Sequence, residues 1–293
     1  MKIEELREVI QKAGGGANAL EYADALLEKV NRLEGSKACD AILRQLFASR
    51  EQGDFRGRVL EVNFVNAFLE QKQTVSCGAK QGGSGDVDVR WSLAGVDVFI
   101  ELKLLRQDQA TKESINRQIE KVRESSTLIT DDTRDIGRIQ LDLFRKGNAT
   151  KFNPKPEKGW VNLIGIDVSE LQLGMADICD CLLAAGGNRI AAMYCHEATL
   201  RPDVVGFFEE LRRPTEKQRE WVARIHQLQG CKTHPREYIH GALFLFREPQ
   251  ETAALVYKLS GVIVWNPKLV SAELAKDIDS NLAVVITRPK KPT

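Results

Sequence analysis

The sequence predicts an α/β fold preceded by a helical segment, and three observations carry that expectation. Between residues 58 and 293, helical and strand-like patterns alternate, the arrangement of an α/β architecture. Residues 96–104 alternate strictly, with Val98, Ile100, Leu102 and Leu104 on one side and Asp97, Phe99, Glu101 and Lys103 on the other, which is the period of a β-strand. Residues 1–50 show only three- and four-residue apolar spacing, the period of helices.

In chain order, IEELREVIQKA and ALEYADALLEKVNRLE are helices separated by Gly14-Gly15-Gly16, and SKACDAILRQLFASR is a third with Ser36 as its N-cap. Gly53 and Gly57 mark a break, after which residues 58–71 form a helix with an apolar stripe of Leu60, Phe64, Ala67 and Phe68. Glu61 lies beside that stripe, where a charged side chain is ordinarily solvated. TVSCGA (74–79) is a strand. Gly82, Gly83 and Gly85 lack the lysine, spacing and following helix of a phosphate-binding loop and read as a flexible connection. A short strand carrying Asp86 and Asp88 then pairs with residues 96–104. A turn at Ala94-Gly95, where glycine accepts a positive φ, sets Asp88 opposite Glu101 and Asp86 opposite Lys103. A turn one residue earlier would set Asp86 opposite Glu101.

Helices are expected at 111–126 and at 133–146, the latter ending at Gly147, followed by a basic, proline-containing loop at 151–159. GWVNLIGIDVS (159–169) is a strand, ELQLGMADICDCLLAAGG a helix and NRIAAMYC a further strand. PDVVGFFEELRR and PTEKQREWVARIHQLQ are helices opened by Pro202 and Pro214. YIHGALFLFRE and GVIVWNP are strands, and SAELAKDI is a short helix. The chain accordingly divides into a helical segment (1–52), a core (53–170) and an α/β extension (171–293) that could continue the same sheet.

Composition narrows the function classes. The net charge is +1, from 42 basic and 41 acidic residues, so sequence-blind attraction to nucleic acid or anionic membrane is not expected outside local patches. Residues 101–160 hold 13 basic and 10 acidic side chains, a small local excess that follows the acidic hairpin. No apolar run approaches a membrane span, and no signal-peptide core is present. The six cysteines are spaced irregularly, unlike a secreted disulfide framework. Cytoplasmic localisation is the expectation. Cys179, Cys181, Cys195-His196 and Cys231 with His234 fit no standard zinc knuckle.

The chemistry concentrates in the hairpin. Carboxylates placed directly opposite on one sheet face repel, an arrangement that makes sense if a divalent cation sits between them. Magnesium prefers oxygen ligands and keeps several waters, so two protein carboxylates suffice. Asp88 and Glu101 are the ligand candidates, with Asp86 the alternative if the register slips. The competing reading is a cross-strand salt-bridge ladder of Asp86, Asp88, Glu101 and Lys103 on an exposed face.

The order helix, strand, strand with Asp88, strand with Glu101-Leu102-Lys103, helix, strand resembles the restriction-endonuclease-like nucleases of the PD-(D/E)XK superfamily. Asp88 stands thirteen residues before Glu101, and Val87 occupies the place of the motif's proline. The resemblance covers roughly residues 55–170. It implies an αβββαβ core on a mixed central sheet and a Mg²⁺- or Mn²⁺-dependent nuclease acting on nucleic acid, DNA first, in restriction, defence or repair. It further implies that Asp88 and Glu101 bind metal and that Lys103 stands near the attacking water. Glu61 from the first helix and Gln118 from the helix after the third strand would join the site, and a homodimer is a modest expectation. The alternative is a catalytically inactive protein of the same fold that binds nucleic acid or serves in assembly.

Overall fold

The structure is a computed structural model that describes residues 3–12, 23–36, 39–81, 85–106, 113, 132–148, 151–171, 177–227, 234–247 and 256–289. Gln118 and all but Glu113 of the helix expected at 111–126 lie outside these residues, as do Gly14-Gly15-Gly16, Gly82, Gly83 and Cys231. The described residues form a mixed α/β fold with eight α-helices and one six-stranded sheet.

The strands are β1 (Thr74–Lys80), β2 (Asp86–Leu93), β3 (Val96–Arg106), β4 (Trp160–Glu170), β5 (Gly241–Arg247) and β6 (Leu259–Trp265), and they lie side by side in that order. β1, β2 and β3 form an antiparallel meander. β3, β4 and β5 run parallel, and β6 returns antiparallel to β5. β4 is central and buried along both faces from Val161 to Val168, which explains why it reads as an almost unbroken apolar run. Two polar residues interrupt it, and both are satisfied. Asn162 joins a hydrogen-bonded network described below, and Asp167 accepts from Arg247 at 3.2 Å.

The helices cover both faces. α1 (Ile3–Lys12), α2 (Ala23–Ser36), α3 (Asp40–Ala48) and α4 (Gln52–Glu70) pack with Val98, Ile100 and Leu102 of β3 in one apolar core that also includes Ile278 and Leu282 of α8 (Ala272–Val285). α5 (Asp132–Asn148), α6 (Ile178–Ala191) and α7 (Glu216–Gln227) pack on the opposite face around Phe99, Ile164 and Ile166. The first three helices and the last two strands thus share the cores and the sheet of the segment between them.

Several expectations are corrected. α4 starts at Gln52 and runs through Gly53 and Gly57. A Cβ at Gly53 would stand 1.8 Å from the guanidinium of Arg106, so the glycine admits that side chain and does not end the helix. Ser36 closes α2, its hydroxyl donating to the Leu33 carbonyl, and α3 begins after Cys39. NRIAAMYC is not a strand. The helix continues past a kink at Gly187 (φ 70°) to Ala191. PDVVGFFEELRR is not a helix, because Phe207 and Phe208 donate their N–H groups to the carbonyls of Ala184 and Ala185. That segment satisfies the buried carbonyls before the kink, and its Gly206 lies against the backbone of Gly187. Thr215, not Pro214, caps α7 by accepting from the Gln218 N–H. α8 is longer than expected. Cys39 is joined to Cys77 and Cys179 to Cys195. These pairs were not anticipated from the irregular cysteine spacing, and they remove Cys179 and Cys195 from any zinc set. No described helix is long and apolar enough to cross a membrane.

Candidate active site

The hairpin turns at Ala94-Gly95, with Gly95 at φ 78° and Leu93 opposite Val96. This register brings Val89 opposite Ile100, and the ladder between β2 and β3 stops there. One residue further, Asp88 replaces the missing backbone partner, its Oδ2 accepting from the Leu102 N–H at 2.8 Å. β2 and β3 therefore part at Asp88 and Glu101, and a carboxylate stands in the opening. Asp86 is exposed and pairs in register with Lys80 on β1. No ion pair joins Asp86 to Lys103 among the described residues, so the competing reading, a cross-strand ladder through that pair, does not form.

Glu101 lies on the α5 face of β3, next to Ile164, and is fully buried. Its Oε1 accepts from Lys146 Nζ at 2.5 Å and from Lys151 Nζ at 2.6 Å. Its Oε2 is buried and has no hydrogen-bond partner among the described residues, a costly arrangement for a carboxylate oxygen. Lys151 also reaches Asp88 Oδ1, at 3.5 Å. Burial raises the Glu101 pKa and the Asp88 charge raises it further, while Lys146 and Lys151 oppose both. Burial disfavours the charge on Lys151, but Asp88 and Glu101 outweigh it and lift its pKa above the ordinary lysine value.

Glu61 enters from α4. It is buried (7% exposed) and not a solvated flank, because α4 packs between α2 and α3 on one side and β1 and β3 of the sheet on the other. Arg58, one turn earlier, donates to Glu61 Oε1 at 2.6 Å. Burial and the Asp88 charge nevertheless raise the Glu61 pKa from 4.5 to about 7. Lys103 makes no ion pair among the described residues. It lines a cavity of about 150 Å³ with Asp54, Arg58, Glu61 and Arg106. Glu61, Asp88 and Glu101 thus influence one another electrostatically, and Lys103 shares the Glu61 cavity. The role of Gln118 falls outside the described residues.

Arg58, Lys146, Lys151 and Gln81 were not foreseen as site residues. Lys146 ends the helix expected at 133–146 and Lys151 opens the basic loop, and in sequence both count only toward the local basic excess. Gln81 is fully buried at the end of β1. It donates to Asn162 Oδ1 at 2.5 Å and accepts from the Asn153 N–H at 2.9 Å, tying the loop that carries Lys151 to the sheet.

Among the described residues no group of three or more His, Cys, Asp and Glu side chains is assembled as a metal cage. The donor chemistry still suits a hard divalent cation, which takes carboxylate oxygens and water. Asp88 and Glu101 supply two carboxylates, and Glu101 Oε2 is a buried oxygen with no donor among the described residues. In comparisons with known proteins, no family model matches the chain, and neither a curated protein nor a solved structure does so.

Proposed function

We propose that the chain is a metal-dependent nuclease hydrolysing phosphodiester bonds, with DNA as the first substrate to test. The observation that carries this reading is the buried Oε2 of Glu101 beside Asp88, without a hydrogen-bond partner among the described residues, at the point where β2 and β3 part. Asp88 and Glu101 would hold Mg²⁺ or Mn²⁺. A bound cation of this kind polarises a phosphate and lowers the pKa of its water. Glu61 adds a third acidic group on the α4 side, and Arg58 holds its carboxyl in place. Lys103, which makes no ion pair among the described residues and lines the cavity that Glu61 also lines, would orient the attacking water or offset charge on the transition state. The resemblance to PD-(D/E)XK nucleases supports these roles, as does the order of the elements that carry them.

A second reading has its own support. Lys146 and Lys151 already neutralise Glu101 and Asp88, as they would in a noncatalytic module that binds nucleic acid. Cleavage decides between the two. Wild type is incubated with Mg²⁺ or Mn²⁺ and duplex DNA, single-stranded DNA or RNA, alongside Asp88→Ala, Glu101→Gln and Lys103→Ala. The nuclease reading requires metal-dependent cutting that all three variants lose while keeping their circular dichroism spectra. Cutting by Lys103→Ala at the wild-type rate would refute the role of that lysine. No cutting of any substrate by wild type would leave the binding module. Sedimentation of the same samples tests the expected homodimer.

A further inference from the structure

We propose that Lys151, assisted by Lys146, is a phosphate-contacting residue that exchanges with the metal. Its ammonium bridges Asp88 and Glu101 in this structure, and it would turn to the scissile phosphate where a divalent cation took those carboxylates. The inference rests on the nuclease reading and adds residues that the D-x12-E-x-K pattern does not contain.

The geometry supports exchange. Lys151 Nζ stands 2.6 Å from Glu101 Oε1 and 3.5 Å from Asp88 Oδ1, between the two carboxylates proposed as metal ligands. Lys146 Nζ occupies the same Oε1 at 2.5 Å. A dication brought to these oxygens would face two ammonium groups at contact distance, and such repulsion is strong where solvent screening is weak. The carboxylate is rooted in the core, whereas the lysines are not. Glu101 has no exposed side-chain surface, while Lys146 and Lys151 are 25% and 29% exposed. The lysines therefore reach the site from its solvent side and can withdraw without opening the core.

Withdrawal does not carry Lys151 away. Two residues on, the backbone of Asn153 is fixed to the buried Gln81, which is itself fixed to Asn162. A flexible four-carbon stem on an anchored backbone gives the ammonium a short arc around the opening. Room for that stem is provided at Gly85, where a Cβ would come 3.1 Å from Lys151 Cγ. A phosphodiester approaching the carboxylates is the anion within that arc, so the charge that leaves the carboxylates meets the charge that arrives.

The test uses the full chain and reads binding as well as cutting. Mn²⁺ alone is titrated calorimetrically into wild type, Lys151→Gln and Lys151→Arg, and binding of a phosphorothioate duplex is measured in Ca²⁺. Lys151→Gln is expected to bind Mn²⁺ about tenfold tighter and the duplex about tenfold weaker. Lys151→Arg, which keeps the charge, should stay within about threefold of wild type in both. In wild type, added Mn²⁺ should increase acetylation of Lys151 by acetic anhydride, read by mass spectrometry, a measurement that needs no variant to fold. A wild type that binds Mn²⁺ and cuts DNA, with unchanged Mn²⁺ affinity in Lys151→Gln or unchanged Lys151 acetylation, would overturn the exchange and leave the nuclease reading intact. Absence of Mn²⁺ binding to wild type would instead overturn both.

Discussion

Replacing Glu61 by glutamine is expected to stabilise the fold at alkaline pH while impairing the site. The carboxyl is buried, and burial first, then the Asp88 charge, raises its pKa from 4.5 to about 7 despite the hydrogen bond from Arg58. The unfolded chain releases this proton near its ordinary value, whereas the folded chain holds it to about 7. Between those values the folded state binds the extra proton, so the stability contributed by this group is fully present below about 4.5 and falls as pH rises to about 7. At about 1.4 kcal/mol for each tenfold change, ionising the buried carboxyl costs about 3 kcal/mol once the pH exceeds about 7. Glutamine avoids that cost, and its carbonyl oxygen can still accept from Arg58. Urea unfolding followed by tryptophan fluorescence, repeated across pH, should find Glu61→Gln equal to wild type near pH 4.5 and more stable by up to about 3 kcal/mol near pH 8. Cleavage should fall in the same variant, a trade of stability against activity. A stability difference that does not vary with pH, or a less stable variant near pH 8, would refute the reasoning.

Three further outcomes follow from the same packing. His240 is buried, and burial lowers its pKa from 6.5 to about 4 against the opposing carbonyl of Tyr238; its Nδ1 accepts from the Asn162 N–H at 3.1 Å. The unfolded chain takes up this proton first, so stability is lost as pH falls from about 6.5 to about 4, by an amount on the order of 3 kcal/mol. This slope opposes that of Glu61 where the two windows overlap, and denaturation of His240→Gln should show stability falling with rising pH; an unchanged profile would count against the assignment. Gly147→Ala places a Cβ 2.5 Å from the ring of Pro235, and thermal melts should show a loss of about 1–3 kcal/mol. Gln81→Ala removes the anchor of the Lys151 loop, so it should weaken duplex binding about as much as Lys151→Gln does and leave the circular dichroism spectrum unchanged.

Legibility in the sequence followed the range of the forces involved. The alternation of β3 and the glycine of the turn gave the hairpin and its register, because side-chain period and turn conformation are local. β4 was legible from its apolar run, since a central parallel strand is buried on both faces. The NRIAAMYC and PDVVGFFEELRR segments were not, because their conformations depend on each other: an irregular chain donates to the carbonyls of α6 across a glycine–glycine contact. Glu61 looked solvated for a similar reason. Its neighbours on α4 gave one apolar stripe, but α2 and α3 cover other sides of the helix, and only the tertiary arrangement turns a flanking carboxylate into a buried one.

The basic half of the site was the least legible part, and its chemistry explains why. A strand carboxylate is short and takes its direction from the pleat, so position in the sequence nearly fixes its place on the sheet. A lysine ends a flexible stem and can serve a carboxylate from a different element. Lys146 comes from the end of α5 and Lys151 from the loop beyond it, yet both reach the same oxygen of Glu101. No periodicity links residues 101, 146 and 151. What links them is the buried charge of Glu101, which requires compensation in a low-dielectric setting, together with the Gln81–Asn153 bond that places the loop within reach. The acidic residues could therefore be read as a pattern, whereas their partners follow only from asking what a buried carboxylate at the end of an interrupted strand pair must be given.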